Sequence, residues 1–280
     1  RLPAAFPIPF PASCITLPRL PIILSPKTPS PPKTLPSAFN FLVAPSNAPM
    51  ISIPLSCESN NSSEKKKSLI SSNDIILFQG DSITDSNREK IKELPNNSLS
   101  FGEGYPYLIA SELLFKNPKK NLQIYNRGVS GNKVPDLDVR WEKDCISLNP
   151  SILSIMIGIN DFWHVKDLFY DGTTEVFEDG YRNLLKKTKN YLPNTKIIIC
   201  EPFILLGTSI KKGWPEEFKE YQKIVKNLSD EFQTVWVPFQ EVFNQALEYA
   251  PVSYWAPDGV HPSIAGSQLM ANAWLNKIYF

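Results

Sequence analysis

Three residues far apart in the chain have side chains that could carry out acyl transfer if the fold brought them together. Ser82 lies in Phe78-Gln79-Gly80-Asp81-Ser82-Ile83-Thr84-Asp85, and the other two, Asp258 and His261, share Asp258-Gly259-Val260-His261-Pro262. A serine hydroxyl is a poor nucleophile until a base takes its proton, and a histidine base needs a third group to fix its tautomer and steady its imidazolium form. Spaced as they are in a glycine-bearing loop, Asp258 can meet one ring nitrogen of His261 and leave the other for Ser82. The developing oxyanion needs hydrogen-bond donors as well. Asn160, in Gly158-Ile159-Asn160-Asp161, offers a side-chain amide, and Gly131, in Val129-Ser130-Gly131-Asn132, a backbone N–H that no Cβ obstructs. Each residue also has a plainer reading: Ser82 as turn former or helix N-cap, Asp258 as a cap beside an exposed histidine, Asn160 as a cap, Gly131 as a positive-φ position.

His164, in Asp161-Phe162-Trp163-His164, is a competing base, with Asp161 as its orienter. Trp163, Tyr254 and Trp255 could form an apolar or sugar-stacking wall beside the serine, or simply pack in the core and at its rim. Asp81, Trp163, His164 and Trp255 are the candidate substrate contacts. With only two histidines and no CxxC, HExxH or other paired-ligand spacing, neither a metal nor an organic cofactor is expected.

The elements that must position these groups follow from periodicity. Ile75 to Phe78 is a short apolar run ending in a glycine turn, the pattern of a buried strand that delivers Ser82 to a sheet edge. Asp85 to Gly104 is too rich in Asn, Ser and Gly for one helix and reads as a loop near the site. A helix over 107–116, a strand over 122–126, a helix over 135–148 and an all-apolar strand over 152–157 follow. Asn160 and His164 fall in the turn after that strand. Helices over 174–191, 216–231, through Phe243 and Leu247, and over 263–279 alternate with strands over 196–200 and 234–237. That alternation predicts a five-stranded parallel sheet covered by helices on both faces. The turns at Ser82, Gly131 and Asn160 all follow strands and so share one sheet edge, where ligands bind in such folds.

Composition bounds the rest. The chain has 280 residues, a hydrophobic fraction of 42% and a net charge of +1 from 29 basic and 28 acidic residues, a balance with no field for nucleic acid. No run is long and apolar enough for a membrane span. Residues 1–57 contain no Asp or Glu and many prolines, and a polar linker follows, so 1–72 is expected to be a low-complexity leader and 73–280 the folded domain. The leader resembles an organelle transit peptide in its acid-free Ser/Pro composition, while Pro54-Leu55-Ser56-Cys57 looks like a lipoprotein site, pointing to a secreted or cell-envelope protein; a disordered or wrongly translated segment is the third reading. The start on Arg1 suggests a fragment or processed product. Of the four cysteines, Cys14 and Cys57 lie in the leader, and Cys145 and Cys200 read as buried free thiols.

Taken together, Gly80-Asp81-Ser82-Ile83-Thr84, Gly131, Gly158-Ile159-Asn160-Asp161 and Asp258-Gly259-Val260-His261 resemble, in order, the blocks of the SGNH (GDSL-type) hydrolases. The resemblance covers residues 74–280. Asp85-Ser86-Asn87-Arg88 stands where the family often has an early glycine, as in its carbohydrate-esterase-like branch. The resemblance implies a flavodoxin-like three-layer α/β/α sandwich, a Ser82–His261–Asp258 triad and an oxyanion hole from the Ser82 N–H, the Gly131 N–H and the Asn160 side chain. Gly128 is the other glycine of the second block, and the alignment favours Gly131. The activity implied is hydrolysis of short acyl, chiefly acetyl, esters of carbohydrates through an acyl-serine. A lysophospholipase-like or thioesterase-like acyl hydrolase is the alternative enzyme, and a non-catalytic carbohydrate-binding protein the alternative outside catalysis.

Overall fold

The computed structural model describes residues 68–279. Residues 1–67 of the predicted leader, Cys14 and Cys57 among them, lie outside this range. Five strands, β1 (Ile75–Gly80), β2 (Gln123–Asn126), β3 (Ile152–Met156), β4 (Lys196–Cys200) and β5 (Val235–Val237), form an all-parallel sheet in the order β2-β1-β3-β4-β5. This is the flavodoxin-like strand order. Parallel strands need crossover connections, and the crossovers place helices on both faces. Helices α2 (Tyr105–Lys116) and α9 (Ile264–Ile278) pack together on one face with α7 (Phe239–Ala246), while α3 (Val134–Asp144), α5 (Thr174–Tyr191) and α6 (Trp214–Glu231) cover the other. The three-layer expectation therefore holds.

Covering on both faces explains why β3 is buried at every residue and why its sequence is a continuous apolar run. The one hydroxyl in that run, Ser154, is 3.0 Å from the indole Nε1 of Trp274 on α9, so a buried polar group is satisfied across the layers. In α5, Phe177, Tyr181, Leu184, Leu185 and Thr188 recur on one face, which is the buried one. Thr188 accepts the indole N–H of Trp141 at 3.0 Å and so ties α5 to α3. Cys145 and Cys200 are buried free thiols.

Before Asn73, Ser68 bridges Tyr279, and Leu69 N–H donates to the Ile278 carbonyl at 3.0 Å. Ile70 is buried there. The helix read over 135–148 ends at Asp144 and is followed by a 3₁₀ turn, Ile146–Leu148. The segment after β3 is not a loop but a helix, α4 (Ile159–Lys166), opened by Gly158 at φ 134°. Two further short helices, α1 (Ser82–Asp85) and α8 (Val252–Trp255), sit in stretches read as turn and loop.

Candidate active site

Order 2-1-3-4-5 makes the chain leave β1 in one direction and β3 in the other, opening a crevice at the carboxyl ends of these two strands. Ser82 is there because β1 ends on a glycine that nothing else could replace. A Cβ on Gly80 would lie 2.3 Å from Thr84 Oγ1 and 2.4 Å from the Met156 carbonyl. The chain turns directly into α1, whose N-cap is Asp81, and Ser82 is its first residue.

His261 arrives from the other end of the chain. Its Nε2 is 2.8 Å from Ser82 Oγ, and its Nδ1 is 2.6 Å from Asp258 Oδ2. The short loop is built around Asp258, whose Oδ1 accepts the backbone N–H groups of Val260 at 2.9 Å and His261 at 2.7 Å. Gly259 holds φ 95° and lies against the Leu205 carbonyl, so the turn demands a glycine. Burial pushes the Asp258 carboxyl up, but hydrogen bonds from the His261 ring and the two amides outweigh it and bring the pKa down to about 2. In return the Asp258 hydrogen bond raises His261, against the opposing effect of burial. Such a line can move a proton from Ser82 Oγ to an imidazole whose resulting charge is already compensated.

Asn160, at the second position of α4, is buried, and its Nδ2 donates to the Asn132 carbonyl at 3.1 Å. An amide nitrogen carries two protons, so one is left for a second acceptor. Gly131 precedes that same Asn132, has φ 79°, and a Cβ there would meet nothing. Its N–H has no protein partner among the described residues. Gly128, by contrast, spends its N–H on Asn126 Oδ1 at 2.9 Å and lies against the backbone of Thr84 and Asp85. Gly128 therefore serves close packing, and only Gly131 has a donor to give.

The loop carrying Gly131 is clamped by residues to which the sequence reading gave no role. Asp85, in α1, receives Ser130, and Arg140 Nε on α3 donates to Asn132 Oδ1 at 2.8 Å. Arg140 also reaches Gln79 Oε1 at 2.8 Å, tying the same loop to β1. Asp161 does not orient His164. It accepts the Val134 N–H at 3.0 Å and so caps α3, the helix that follows the Gly131 loop. No local pattern signalled these roles, because each rests on a partner distant in the chain.

Several candidate substrate contacts are corrected. Asp81 has 0% exposure, accepts the Ile83 N–H at 3.0 Å and is a structural cap out of reach of substrate. Its Oδ2 has no partner among the described residues, and burial pushes its carboxyl up to about 7. Trp255 turns inward, its indole N–H shared between the Ala246 and Ala250 carbonyls. Trp163 packs edge-on against Trp214 and donates to Asp167 Oδ2. His164 is half-buried and makes no hydrogen bond to Ser82, whose histidine partner is His261. Burial, with the Lys133 charge, lowers the His164 pKa.

The open space lies on the other side of Ser82. A cleft of about 560 Å³ is lined by Ser82 and His261 together with Ser86, Asn87, Glu103 and Ile264, among others. Tyr254, Trp163 and Trp255 take no part in its wall. Among the described residues, no group of His, Cys, Asp and Glu side chains could hold a metal, and no helix is long and apolar enough to cross a membrane.

A parallel sheet that presents a serine, a histidine and an aspartate in one hydrogen-bonded line at its switch point defines the class: this is the architecture of an ester hydrolase. Residues 78–269 match the model of the GDSL-like lipase/acylhydrolase family, and the chain belongs to that family. It is a carboxylic ester hydrolase by class. It is 36% identical over 218 residues to an acetylxylan esterase of Geobacillus stearothermophilus, covering 75% of this chain and 96% of that one. A crystal structure from Parabacteroides merdae, described as a GDSL-like lipase, is 46% identical with a TM-score of 0.74, over 76% of this chain and 98% of the other. The crystal structure of the Geobacillus esterase superposes with a TM-score of 0.69 at 33% identity, over 75% and 96% of the two chains. A serine variant and a histidine variant of that esterase are described as catalytic mutants.

Proposed function

We propose that the protein is a serine esterase that removes acetyl groups from carbohydrates, with Ser82 as nucleophile, His261 as general base and acid, and Asp258 as the residue that orients the imidazole. The observation that carries this reading is the continuous line Ser82 Oγ, His261 Nε2, His261 Nδ1 and Asp258 Oδ2, with contacts of 2.8 and 2.6 Å. Ser82 Oγ attacks the ester carbonyl carbon as its proton passes to His261 Nε2. The Asp258 carboxylate holds Nδ1–H and balances the imidazolium. The tetrahedral oxyanion takes hydrogen bonds from the Ser82 N–H, the Gly131 N–H and the free proton of Asn160 Nδ2. Collapse expels the alcohol, which receives the proton from His261 and leaves an acetyl group on Ser82. A water, deprotonated by His261, then repeats the sequence and releases acetate.

The acetyl and carbohydrate preference is supported by the acetylxylan esterase relative, matched over 96% of its length, and by the serines, amide and carboxylate in the cleft wall. The domain that performs the reaction is taken to be 73–280 together with the short segment from Ser68 that packs on its last helix.

Intact-mass spectrometry of the full chain after treatment with a fluorophosphonate tests the nucleophile. One adduct is expected on the parent, none on Ser82→Ala, and a strongly slowed one on His261→Ala. No adduct on a folded parent overturns the reading and favours a non-catalytic carbohydrate-binding protein. A series of p-nitrophenyl esters tests the acyl preference: activity falls beyond butyrate, whereas a maximum at eight carbons or more indicates a lipid or thioester acyl hydrolase.

A further inference from the structure

Beside Ser82 the cleft wall is made by two chain segments that local sequence would not hold in place. At the end of α1, Ser86 and Asn87 are consecutive left-handed residues, with φ of 45° and 64°, and they swing the chain around the cleft. Residues 102–104 lie directly across Ser86. Gly102 has φ 70°, and a Cβ on it would fall 2.2 Å from the Ser86 carbonyl; one on Gly104 would fall 2.8 Å from the Ser86 side chain. Between these glycines, Glu103 N–H donates to the Ser86 carbonyl at 2.9 Å. Glu103 is thus the only residue of the tripeptide with a side chain, and it lines the cleft that contains Ser82 and His261.

The Glu103 carboxylate forms no ion pair and no side-chain hydrogen bond among the described residues, and it remains exposed. Its neighbour acids behave differently: Asp85 is taken up by Ser130 and Lys90, and Glu93 by Arg88 and Arg127. Apart from the His261 ring, the other polar lining residues, such as Ser86, Asn87, Ser130 and Ser263, are neutral. An ionised carboxylate only accepts hydrogen bonds, and a hydroxyl readily donates them. It gains nothing from an acyl chain, whose approach would strip it of water, and it repels another carboxylate.

Resting on the esterase reading above, we propose that Glu103 is a specificity-determining residue that accepts hydrogen bonds from hydroxyls of the alcohol half of the ester. It selects a neutral, polyhydroxylated alcohol such as an uncharged sugar unit and disfavours one that carries a carboxylate, such as a uronic acid. The carboxylate contributes nothing to the bond-breaking step, so its effect falls on KM for the sugar ester.

The test compares kcat and KM of the full-length parent, Glu103→Ala and Glu103→Gln on p-nitrophenyl acetate, an acetylated neutral xylo-oligosaccharide and an acetylated methyl glucuronide. For Glu103→Ala the ratio of kcat/KM on the neutral oligosaccharide to that on p-nitrophenyl acetate should fall about tenfold or more, through KM, as expected for losing hydrogen bonds to a charged acceptor. Glu103→Gln keeps an acceptor oxygen and loses the charge. It should restore part of the neutral activity and raise the glucuronide-to-neutral ratio about tenfold. Equal changes on all three esters, or none on either ratio, overturn the role of Glu103. If the parent cleaves p-nitrophenyl acetate but neither sugar ester, the carbohydrate reading fails and Glu103 falls with it. If the parent cleaves the neutral sugar ester and Glu103→Ala does so equally well, only the role of Glu103 fails.

Discussion

Asp85 Oδ2 accepts two hydrogen bonds from Ser130, from its backbone N–H at 2.8 Å and from its hydroxyl at 2.7 Å. The contact joins α1, which begins with Ser82, to the loop that offers the Gly131 N–H, so the two are held in one frame. Burial pushes the Asp85 carboxyl up, but Lys90 and Ser130 bring it below the ordinary value, which keeps it ionised as an acceptor. Asp85→Ala should therefore lower kcat on a small ester by about 10- to 100-fold, because a displaced donor loses much of its effect on the oxyanion. KM should change little. Steady-state kinetics check this, and a variant that keeps kcat while losing only thermal stability would reduce Asp85 to a structural role.

Among the described residues the Asn160 side chain makes one hydrogen bond, to the Asn132 carbonyl, so its removal leaves one half-buried carbonyl without that donor but no packing hole of consequence. Asn160→Ala should lower kcat by about 10²–10³ with the fold intact. Circular dichroism and kcat on p-nitrophenyl acetate decide it. A loss below about threefold is far short of one oxyanion donor and would remove Asn160 from the hole.

The pH profile follows from His261. Asp258 raises its pKa, and the ring must be neutral to take the Ser82 proton, so activity appears only as pH climbs through a value above the ordinary histidine value of about 6.5. Asp258→Asn removes the hydrogen bond that raises His261. The acidic limb of kcat/KM should then move to lower pH, while kcat drops by about 10⁴ through loss of the correct tautomer. An unmoved limb would assign the ionisation to another group.

Stability should respond to pH with the opposite sense at the buried acids. Burial raises both Asp81 and Asp161 to about 7, whereas an unfolded aspartate ionises near 3.9. Between those values the folded state binds more protons than the unfolded one, so their contribution is complete below about pH 4 and declines as pH rises toward 7. Asp258 is lowered, so its contribution is lost only as pH falls below about 4, whereas that of His261, whose pKa is raised, is complete below about 6.5 and is lost as pH rises above that value. Asp161→Asn still offers an oxygen to the Val134 N–H but cannot ionise. Its Tm should fall less steeply than that of the parent from pH 4 to 6, measured by differential scanning fluorimetry, and an identical slope would contradict the assignment.

Local chemistry in the sequence was enough for the sheet and for the serine, aspartate and histidine that the fold brings into hydrogen-bonding distance. The apolar runs of β1 and β3 and the glycine that ends β1 are dictated by close burial, and Asp258 and His261 lie in one tight turn whose geometry depends on its own residues. Alternation of strands with helices determined the parallel sheet, because crossovers have few alternatives. The reading failed where a role depends on a partner distant in the chain. Asp81 and Trp255 stand beside the motifs yet point into the interior, and no local pattern tells which way a side chain turns at the end of a strand or short helix. The helical state of Asn160, the use of Asp161 as the cap of α3 and the Asp85–Ser130 clamp were likewise decided by packing between β1, β2 and β3. Glu103 belongs to the same group: its sequence is that of a loop, and the two glycines pressed against Ser86, with its own N–H bond to the Ser86 carbonyl, hold it in the cleft.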